Sequence, residues 1–236
     1  MPTDVNVVLV HGAWADGSSW SHVIPLLQQA GHRVVAVQLP LTSLADDIAR
    51  TRQTLATVQG PTILVGHSYG CAVVTGAGTN SPNVQSLVFI AGFALDEGES
   101  LGDIIARYPP LPSANYVKPD AQGFLWIEAE AFPENFMQDV DPAEARVLAA
   151  VQNPIAGRSF GDKSGPPAWK SLPSWYQVSE EDRMIHPDAE RMMALRAQAT
   201  TISLPGASHA SLVSHPREIA ALILEAAETP EQRQGT

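Results

Sequence analysis

Two kinds of segment alternate along the first half of the chain. Continuous apolar runs rich in Val, Ile and Leu occupy residues 5–10, 33–38, 61–66 and 84–90. Helix-like segments lie between and after these runs, at residues 18–31, 43–60 and 69–78. Continuous apolar runs are typical of strands that a parallel sheet buries on both faces. The alternation therefore predicts a parallel, doubly wound sheet with helices on both sides.

The alternation breaks near Phe93 and resumes at residue 174. The intervening residues are rich in Pro and Gly, carry scattered aromatic side chains, and contain two helix-like stretches, at 100–108 and 141–152. Beyond them the pattern predicts strands at 174–179 and 200–206 and helices at 186–199 and 215–228. We therefore predict an α/β fold with a mostly parallel sheet of about six strands flanked by helices. Its core comprises residues 1–94 and 173–236, a helical cap (a lid) is inserted at 95–172, and the polar tail 229–236 is frayed.

The strongest chemical signal stands at the end of the third predicted strand. Gly66-His67-Ser68-Tyr69-Gly70 matches the G-x-S-x-G pattern and lies directly between an apolar strand and a helix of small residues. Such a turn holds its serine in a strained conformation, with the hydroxyl above the sheet and backbone amides beside it. A glycine-rich turn with an incidental serine is the alternative. The strand-turn-helix context favours Ser68 as a catalytic nucleophile.

A serine hydroxyl needs a neighbouring base, and histidine is the usual one. After a turn of this kind, the acid and then the base follow the serine along the chain. His209 fits because it lies in the loop after the strand at 200–206. His215 is the rival, but Pro216 follows it and its position fits the start of the final helix. The side chain of His67 is predicted to project away from the nucleophile.

The base in turn needs a carboxylate to orient it. The carboxylates that follow the strand at 174–179 are Glu180, Glu181, Asp182 and Asp188. We favour Asp182, because the loop must leave the sheet before a carboxylate can turn toward His209. The two adjacent glutamates are typical of a solvated acidic patch. Asp96, after the previous strand, is the alternative acid.

Two backbone amides are predicted to stabilise the oxyanion of the reaction. The first is the N–H of Tyr69, directly after the nucleophile, and the second is the N–H of Ala13. Ala13 belongs to His11-Gly12-Ala13-Trp14 after the first strand, where Gly12 lets the backbone approach a substrate closely. The same segment also fits a plain turn that packs its tryptophan. Both roles are compatible, because the donors are backbone groups.

These segments together resemble the α/β-hydrolase superfamily, and within it small bacterial esterase-like proteins similar to plant methylesterases and hydroxynitrile lyases. The shared residues are His11-Gly12-Ala13-Trp14, Gly66-His67-Ser68-Tyr69-Gly70, Asp182-Arg183-Met184-Ile185 and Gly206-Ala207-Ser208-His209. The resemblance covers nearly the whole chain, is weakest over residues 95–172, and implies a six-stranded core with a helical cap. Haloalkane dehalogenases and epoxide hydrolases of this superfamily use an Asp nucleophile, which Ser68 argues against. The plant-type lyases use a lysine, but Lys118, Lys163 and Lys170 all lie in the predicted cap, away from the catalytic segments.

Charge and composition exclude several classes of partner. The chain has 25 acidic and 14 basic residues, a formal net charge of −11, which repels the phosphate backbone of nucleic acids. Its apolar runs are too short to span a bilayer, and its N-terminus does not resemble a signal peptide. Cys71 is the single cysteine, so a cytoplasmic protein is expected. Without a clustered metal-ligand spacing or a phosphate-binding loop, we expect neither a metal nor an organic cofactor. The sequence allows a homodimer.

The predicted function is that of a serine esterase, a hydrolase that cleaves carboxylic esters of small, apolar substrates through an acyl-enzyme. Aromatic residues are candidates for the substrate pocket, although large aromatic side chains often serve only for packing. They are Trp14, Tyr108, Phe124, Trp126, Phe132, Phe136 and Trp169. Two alternatives keep the same three catalytic residues. One is a cofactor-free lyase or a perhydrolase, and the other is a small-molecule receptor whose triad is idle.

Overall fold

The structure is a computed structural model, and it describes residues 5–228. The tail predicted to fray lies outside the described residues. The strands are β1 (Asn6–Val10), β2 (Arg33–Val37), β3 (Thr62–His67), β4 (Val84–Ile90), β5 (Val117–Pro119), β6 (Phe124–Ile127), β7 (Ile155–Ala156), β8 (Ser174–Ser179) and β9 (Thr200–Leu204). The helices are α1 (Ile24–Gln29), α2 (Leu44–Thr57), α3 (Tyr69–Ala77), α4 (Leu101–Ile105), α5 (Phe132–Phe136), α6 (Pro142–Ala150), α7 (Pro187–Arg196), α8 (Ser211–Ser214) and α9 (Pro216–Ala227).

Six of these strands form the central sheet, in the order β2-β1-β3-β4-β8-β9, and every neighbouring pair is parallel. The inner strands β1, β3 and β8 are buried along their whole length, whereas the edge strands β2 and β9 alternate between exposed and covered residues. Helices on both faces cover the inner strands, which explains their continuous apolar runs. The predicted six-stranded parallel sheet is confirmed.

Proline positions explain where two helices begin. The segment predicted as a helix at 18–31 is a 3-10 turn at Gly17–Trp20 followed by α1, which has Pro25 in its first turn. The helix predicted at 215–228 is α9, which begins at Pro216, and the short α8 precedes it. Proline lacks the N–H that a helix interior needs, but is well accommodated in the first turn.

The insertion, residues 95–172 between β4 and β8, contains more than the helices that its sequence predicts. It includes α4, α5 and α6, but also a three-stranded antiparallel sheet in the order β5-β6-β7. These strands are two to four residues long, too short to give a periodic apolar signal. Within residues 5–228, the structure contains no helix with the length and apolar character needed to cross a membrane.

Candidate active site

Ser68 stands at a sharp turn between β3 and α3. Its backbone has φ 54° and ψ −124°, a region that non-glycine residues rarely adopt. Neighbouring backbone groups hold it there. The Ser68 N–H donates to the carbonyl of Ile90 at 3.0 Å, and the Ser68 carbonyl accepts from Phe93 N at 3.2 Å. Strain of this kind persists only where the surroundings impose it, and it is typical of functional sites.

Glycines around the turn allow close approach of three backbone segments. A Cβ atom at Gly70 would lie 2.5 Å from the carbonyl oxygens of Val10 and His11, and one at Gly12 would lie 2.7 Å from Ser68 Cβ. Real Cβ atoms essentially never come so near another heavy atom. The glycines therefore let α3 pack against the end of β1 and bring the segment after β1 against Ser68.

Three predicted residues meet above the carboxyl edge of the sheet. Ser68 follows β3, Asp182 follows β8 and His209 follows β9. His209 Nε2 lies 2.8 Å from Ser68 Oγ, and His209 Nδ1 lies 2.5 Å from Asp182 Oδ2. A carboxylate can only accept, so Nδ1 carries the proton and Nε2 is free to accept from the serine hydroxyl. The structure thus brings together the nucleophile, base and acid that the sequence predicts.

Asp182 is fully buried, yet it is held as a carboxylate. Burial alone would raise its pKa, but His209 and hydrogen bonds to the carboxylate lower it below the ordinary value. Oδ1 accepts from the backbone N–H of Met184 at 2.6 Å and of Ile185 at 2.8 Å. The loop after β8 therefore folds around its own side chain, which leaves Oδ2 for His209.

His67 has a contact that the sequence analysis did not anticipate. Its Nε2 donates to the backbone carbonyl of His209 at 2.8 Å, and the two rings lie 4.9 Å apart between centroids. Burial, followed by the charge of His209, lowers the pKa of His67 to about 3, so the ring stays neutral. His67 thereby anchors the main chain of the loop that carries His209. The only local signal was its place beside Ser68.

The segment after β1 is held by His11. Nδ1 of this buried ring donates to the carbonyl of Gly12 at 2.8 Å, while Nε2 accepts from Leu39 N at 3.0 Å. Burial lowers the pKa of His11, in keeping with this neutral form. The carbonyl and N–H of a trans peptide point in opposite directions. Fixing the Gly12 carbonyl therefore also fixes the direction of the Ala13 N–H.

A buried hydrogen bond fixes the side chain of Tyr69, the other predicted oxyanion residue. Its hydroxyl donates to Asp47 Oδ2 at 2.5 Å, and Asp47 Oδ1 accepts from Leu41 N at 2.8 Å. Burial raises the pKa of Asp47 to about 6, and the bond from Tyr69 limits that rise. This contact ties the start of α3 to α2.

An apolar cavity of about 430 Å³ opens beside Ser68 and His209. Its walls come from both the core and the insertion. The main apolar residues are Phe93, Leu101, Ile104, Leu125, Phe160 and Met184. Two of the predicted pocket residues, Trp14 and Tyr108, lie on this wall. Trp14 Nε1 also donates to the Leu125 carbonyl at 2.8 Å, which joins the segment after β1 to the insertion.

The other predicted aromatic residues do not line this cavity. Phe132 and Phe136 stack on each other at 4.8 Å, and the Phe136 ring meets the His209 ring edge-on at 4.8 Å, so they pack beside His209 and outside the cavity. Trp126 lies at the surface, 38% exposed, and its Nε1 donates to Asp120. The remaining two also lie outside the cavity: Phe124 is half-buried in β6, and Trp169 is buried and bonds the Leu95 carbonyl.

Comparison with known proteins shows the family of the chain. The profile of the alpha/beta hydrolase family matches residues 7–222. The chain belongs to this family. It is 29% identical to putative methylesterase 19 of Arabidopsis thaliana, over 92% of this chain and 94% of that protein. It is 27% identical to a pyrethroid hydrolase of Sphingobium wenxiniae, over 99% of this chain and 91% of that protein.

Solved structures of other proteins have the same fold as this α/β hydrolase. A crystal structure of a pyrethroid hydrolase from Sphingobium faniae superposes with a TM-score of 0.83 at 24% identity, covering 97% of this chain and 99% of that one. At this identity the likeness shows the fold alone. The resemblance to the superfamily and to plant methylesterases, drawn from four short segments, is confirmed.

The alternative acid, Asp96, and the alternative base, His215, have partners other than Ser68. Asp96 pairs with Lys170 at 2.5 Å, and His215 Nδ1 lies 2.8 Å from the hydroxyl of Ser214, at the start of α9. Lys163 pairs with Asp103 at 2.5 Å. The cavity wall contains no lysine within residues 5–228. A lysine that reaches the substrate, as in the plant-type lyases, therefore has no counterpart on this wall.

Proposed function

We propose that this protein is a serine hydrolase that cleaves carboxylic esters of small, uncharged, apolar substrates. The observation that carries the proposal is the hydrogen-bonded chain from Ser68 through His209 to Asp182, with distances of 2.8 and 2.5 Å, at the wall of an apolar cavity. The relatives support ester hydrolysis, because two that match more than nine tenths of the chain are named as a putative methylesterase and a pyrethroid hydrolase.

In the proposed reaction, Ser68 Oγ attacks the ester carbonyl while His209 Nε2 takes its proton. Asp182 stabilises the resulting imidazolium and keeps the ring in the required tautomer. His209 then returns the proton to the leaving alcohol, and the acyl group stays on Ser68 as an ester. Water repeats both steps: His209 accepts a proton from water, and the acid leaves as Ser68 is regenerated.

The N–H groups of Ala13 and Tyr69 would hold the oxyanion of each tetrahedral intermediate. Both residues lie on the cavity wall next to Ser68. The hydrogen bond from His11 to the Gly12 carbonyl supports a fixed direction for the Ala13 N–H. Tyr69 is the first residue of α3, where the backbone N–H groups lack partners within the helix. Donors that are oriented before the reaction contribute more to catalysis than mobile ones.

The insertion would act as the cap that selects the substrate. It supplies the wall formed by Leu101, Ile104, Tyr108 and Leu125, and Tyr108 stacks on His186 of the core at 5.2 Å. The cavity wall within residues 5–228 contains no acidic, Lys or Arg side chain, so a charged acyl or alcohol group would lose its hydration without gaining a partner.

Replacement of Ser68 tests the proposal directly. Ser68→Ala should abolish labelling by a fluorophosphonate probe and lower kcat for p-nitrophenyl butyrate by at least about a thousandfold, because the nucleophile is gone. Ser81→Ala is the matched control, since the Ser81 hydroxyl bonds Ala77 O just after α3 and should not affect the reaction. If the wild type neither reacts with the probe nor hydrolyses any of a series of esters, lactones and methyl esters, the proposed function is wrong.

A further inference from the structure

A second carboxyl group is buried against the acid of the triad. Glu190 lies on α7, and none of its surface is exposed. Its Oε2 accepts from the backbone N–H of Ser179 at 2.9 Å. The same Ser179 binds Asp182, because its carbonyl accepts from the Asp182 N–H at 3.2 Å. The two carboxyl groups are close enough to interact directly, and the Asp182 side chain also has no exposed surface. The other oxygen, Oε1, is buried and has no hydrogen-bond donor among residues 5–228.

Two ionised carboxylates in contact, both shielded from water, would repel each other strongly. Asp182, Glu180, Tyr176 and Cys71 act electrostatically on Glu190, and none of these groups is a cation. Arg191 follows Glu190 in sequence, but its guanidinium pairs with Glu180 and Asp188 nearer the surface. The basic side chains near the pair are His209, which bonds Asp182, and His67, which also acts electrostatically on Asp182 but whose pKa of about 3 keeps it neutral.

The pair therefore carries one negative charge, and the structure indicates which residue bears it. Asp182 receives three hydrogen bonds, from Met184 N, Ile185 N and His209, whereas Glu190 receives one. Burial, and then the charge of Asp182, raise the pKa of Glu190 well above its ordinary value, whereas the pKa of Asp182 is lowered. Glu190 is thus the protonated partner.

We propose that Glu190 is a positioning residue, a neutral carboxylic acid whose Oε1 proton is donated to Asp182 and holds that carboxylate in place for His209. This role rests on the proposed function of the triad. This proton also explains why no donor faces Oε1: a protonated oxygen donates a hydrogen bond itself and does not need to accept one. A hydrogen bond to a carboxylate is stronger than one between neutral groups, and it adds no second negative charge beside His209.

The protonation state can be measured on the wild-type protein without any turnover. With ¹³C in the side-chain carboxyl of glutamate, one carboxyl resonance should stay at the protonated position at neutral pH, while the glutamates at the surface are ionised. Glu190→Gln should remove that resonance. If every glutamate carboxyl of the wild type is ionised at neutral pH, the inference is overturned, whatever the protein hydrolyses.

Turnover by two variants tests the positioning role. Glu190→Leu, which cannot donate, should lower kcat by about 10- to 100-fold with KM within about threefold. Glu190→Gln should restore kcat to within about threefold of wild type, because its amide can accept from Ser179 and donate to Asp182. Glu180→Gln is the control, since it also removes a nearby carboxyl but one that pairs with Arg191.

The pH profile separates positioning from simple support of the fold. In the acid limb of kcat/KM, Glu190→Gln should leave the midpoint within a few tenths of a unit, because it replaces one neutral donor by another. A fall of the midpoint by about one unit would mean that an ionised Glu190 had been stabilising the imidazolium. That result, or equal loss of kcat in Glu190→Gln and Glu190→Leu, would contradict the proposal. An inactive wild type would instead refute the proposed function and leave the ¹³C result to decide the protonation of Glu190.

Discussion

Two buried histidines near Ser68, His67 and His209, differ in the groups that their ring nitrogens contact. His209 has a carboxylate on one nitrogen and a hydroxyl on the other. His67, one residue before Ser68, is equally buried but faces a backbone carbonyl and aromatic rings. A charge on His67 would be both desolvated and repelled by a protonated His209. At the residue scale, identical side chains thus take different tasks because of the groups that face them.

We expect this neutral His67 to make the protein sensitive to acid. Its pKa is about 3 in the folded chain and 6.5 in the unfolded one, so between these values the unfolded state binds more protons. The free energy of unfolding should therefore fall as the pH is lowered through this window. Urea denaturation at a series of pH values measures the slope, and His67→Gln should reduce it by up to about one proton.

The pH slope of the wild type does not report His67 alone, because Asp47 affects the free energy of unfolding in the opposite direction. Its pKa of about 6 exceeds 3.8, so its contribution to stability increases as the pH falls from about 6 toward 3.8. The difference between wild type and His67→Gln isolates the histidine. His22→Gln, at the surface on Glu144, is the control and should give the wild-type slope. An unchanged slope in His67→Gln would show that this ring is protonated in the folded protein.

At the scale of elements, the site depends on how closely α3 approaches β1. The N-terminal turn of α3 lies against the carbonyl groups of Val10 and His11, with no room for a side chain at Gly70. On the other side, Ser68 is hydrogen-bonded to Ile90 at the end of β4 and to Phe93 in the segment that follows it. The strained turn is therefore clamped between two elements, and its geometry follows from their packing.

Gly70→Ala should separate α3 from β1. We expect a loss of about 1–3 kcal/mol or more in the free energy of unfolding, because the added methyl would meet rigid backbone oxygens at 2.5 Å. Catalytic turnover should fall as well, since the Tyr69 N–H shifts with the helix. Gly165→Ala is the matched control, because no atom lies within 4 Å of a Cβ placed there. Equal stability of the two variants in chemical denaturation would refute this account of the packing.

At the scale of the whole molecule, an acidic chain encloses an apolar cavity. Among residues 5–228, the cavity wall has no Asp, Glu, Lys or Arg side chain, and it includes two histidines, His186 and His209. The chain has a net charge of −11, and the acidic residues within this range lie outside the cavity wall. Such a charge repels anionic substrates before they bind, and the apolar wall penalises them afterwards. Neutral esters meet neither obstacle.

Anionic esters should therefore be poor substrates. We expect kcat/KM for the p-nitrophenyl half-ester of succinate to lie at least about tenfold below that for p-nitrophenyl butyrate, and added salt should narrow the gap. Ile105→Lys places a cation at the exposed rim of the cavity and should raise kcat/KM for the anionic ester alone. Equal kcat/KM for the two esters in the wild type would contradict the proposed selection by charge.

Much of this arrangement could be read from the chain. The first four strands of the core sheet are local apolar runs, and G-x-S-x-G is a local pattern whose turn chemistry requires glycine at Gly66 and Gly70. The order of Ser68, Asp182 and His209 follows from loops that leave one edge of a parallel sheet. These features depend on neighbours in sequence and on one rule of topology, so the sequence alone determined them.

Only the tertiary structure decided which side chains meet across long distances in the chain. It placed Tyr108 on the cavity wall and Trp126 at the surface, although both are aromatic residues of the predicted cap. It paired β5, β6 and β7, and it brought Glu190 against Asp182. The physical reason is that burial and charge at a position are set by all the elements packed around it, and no local pattern of residues records them.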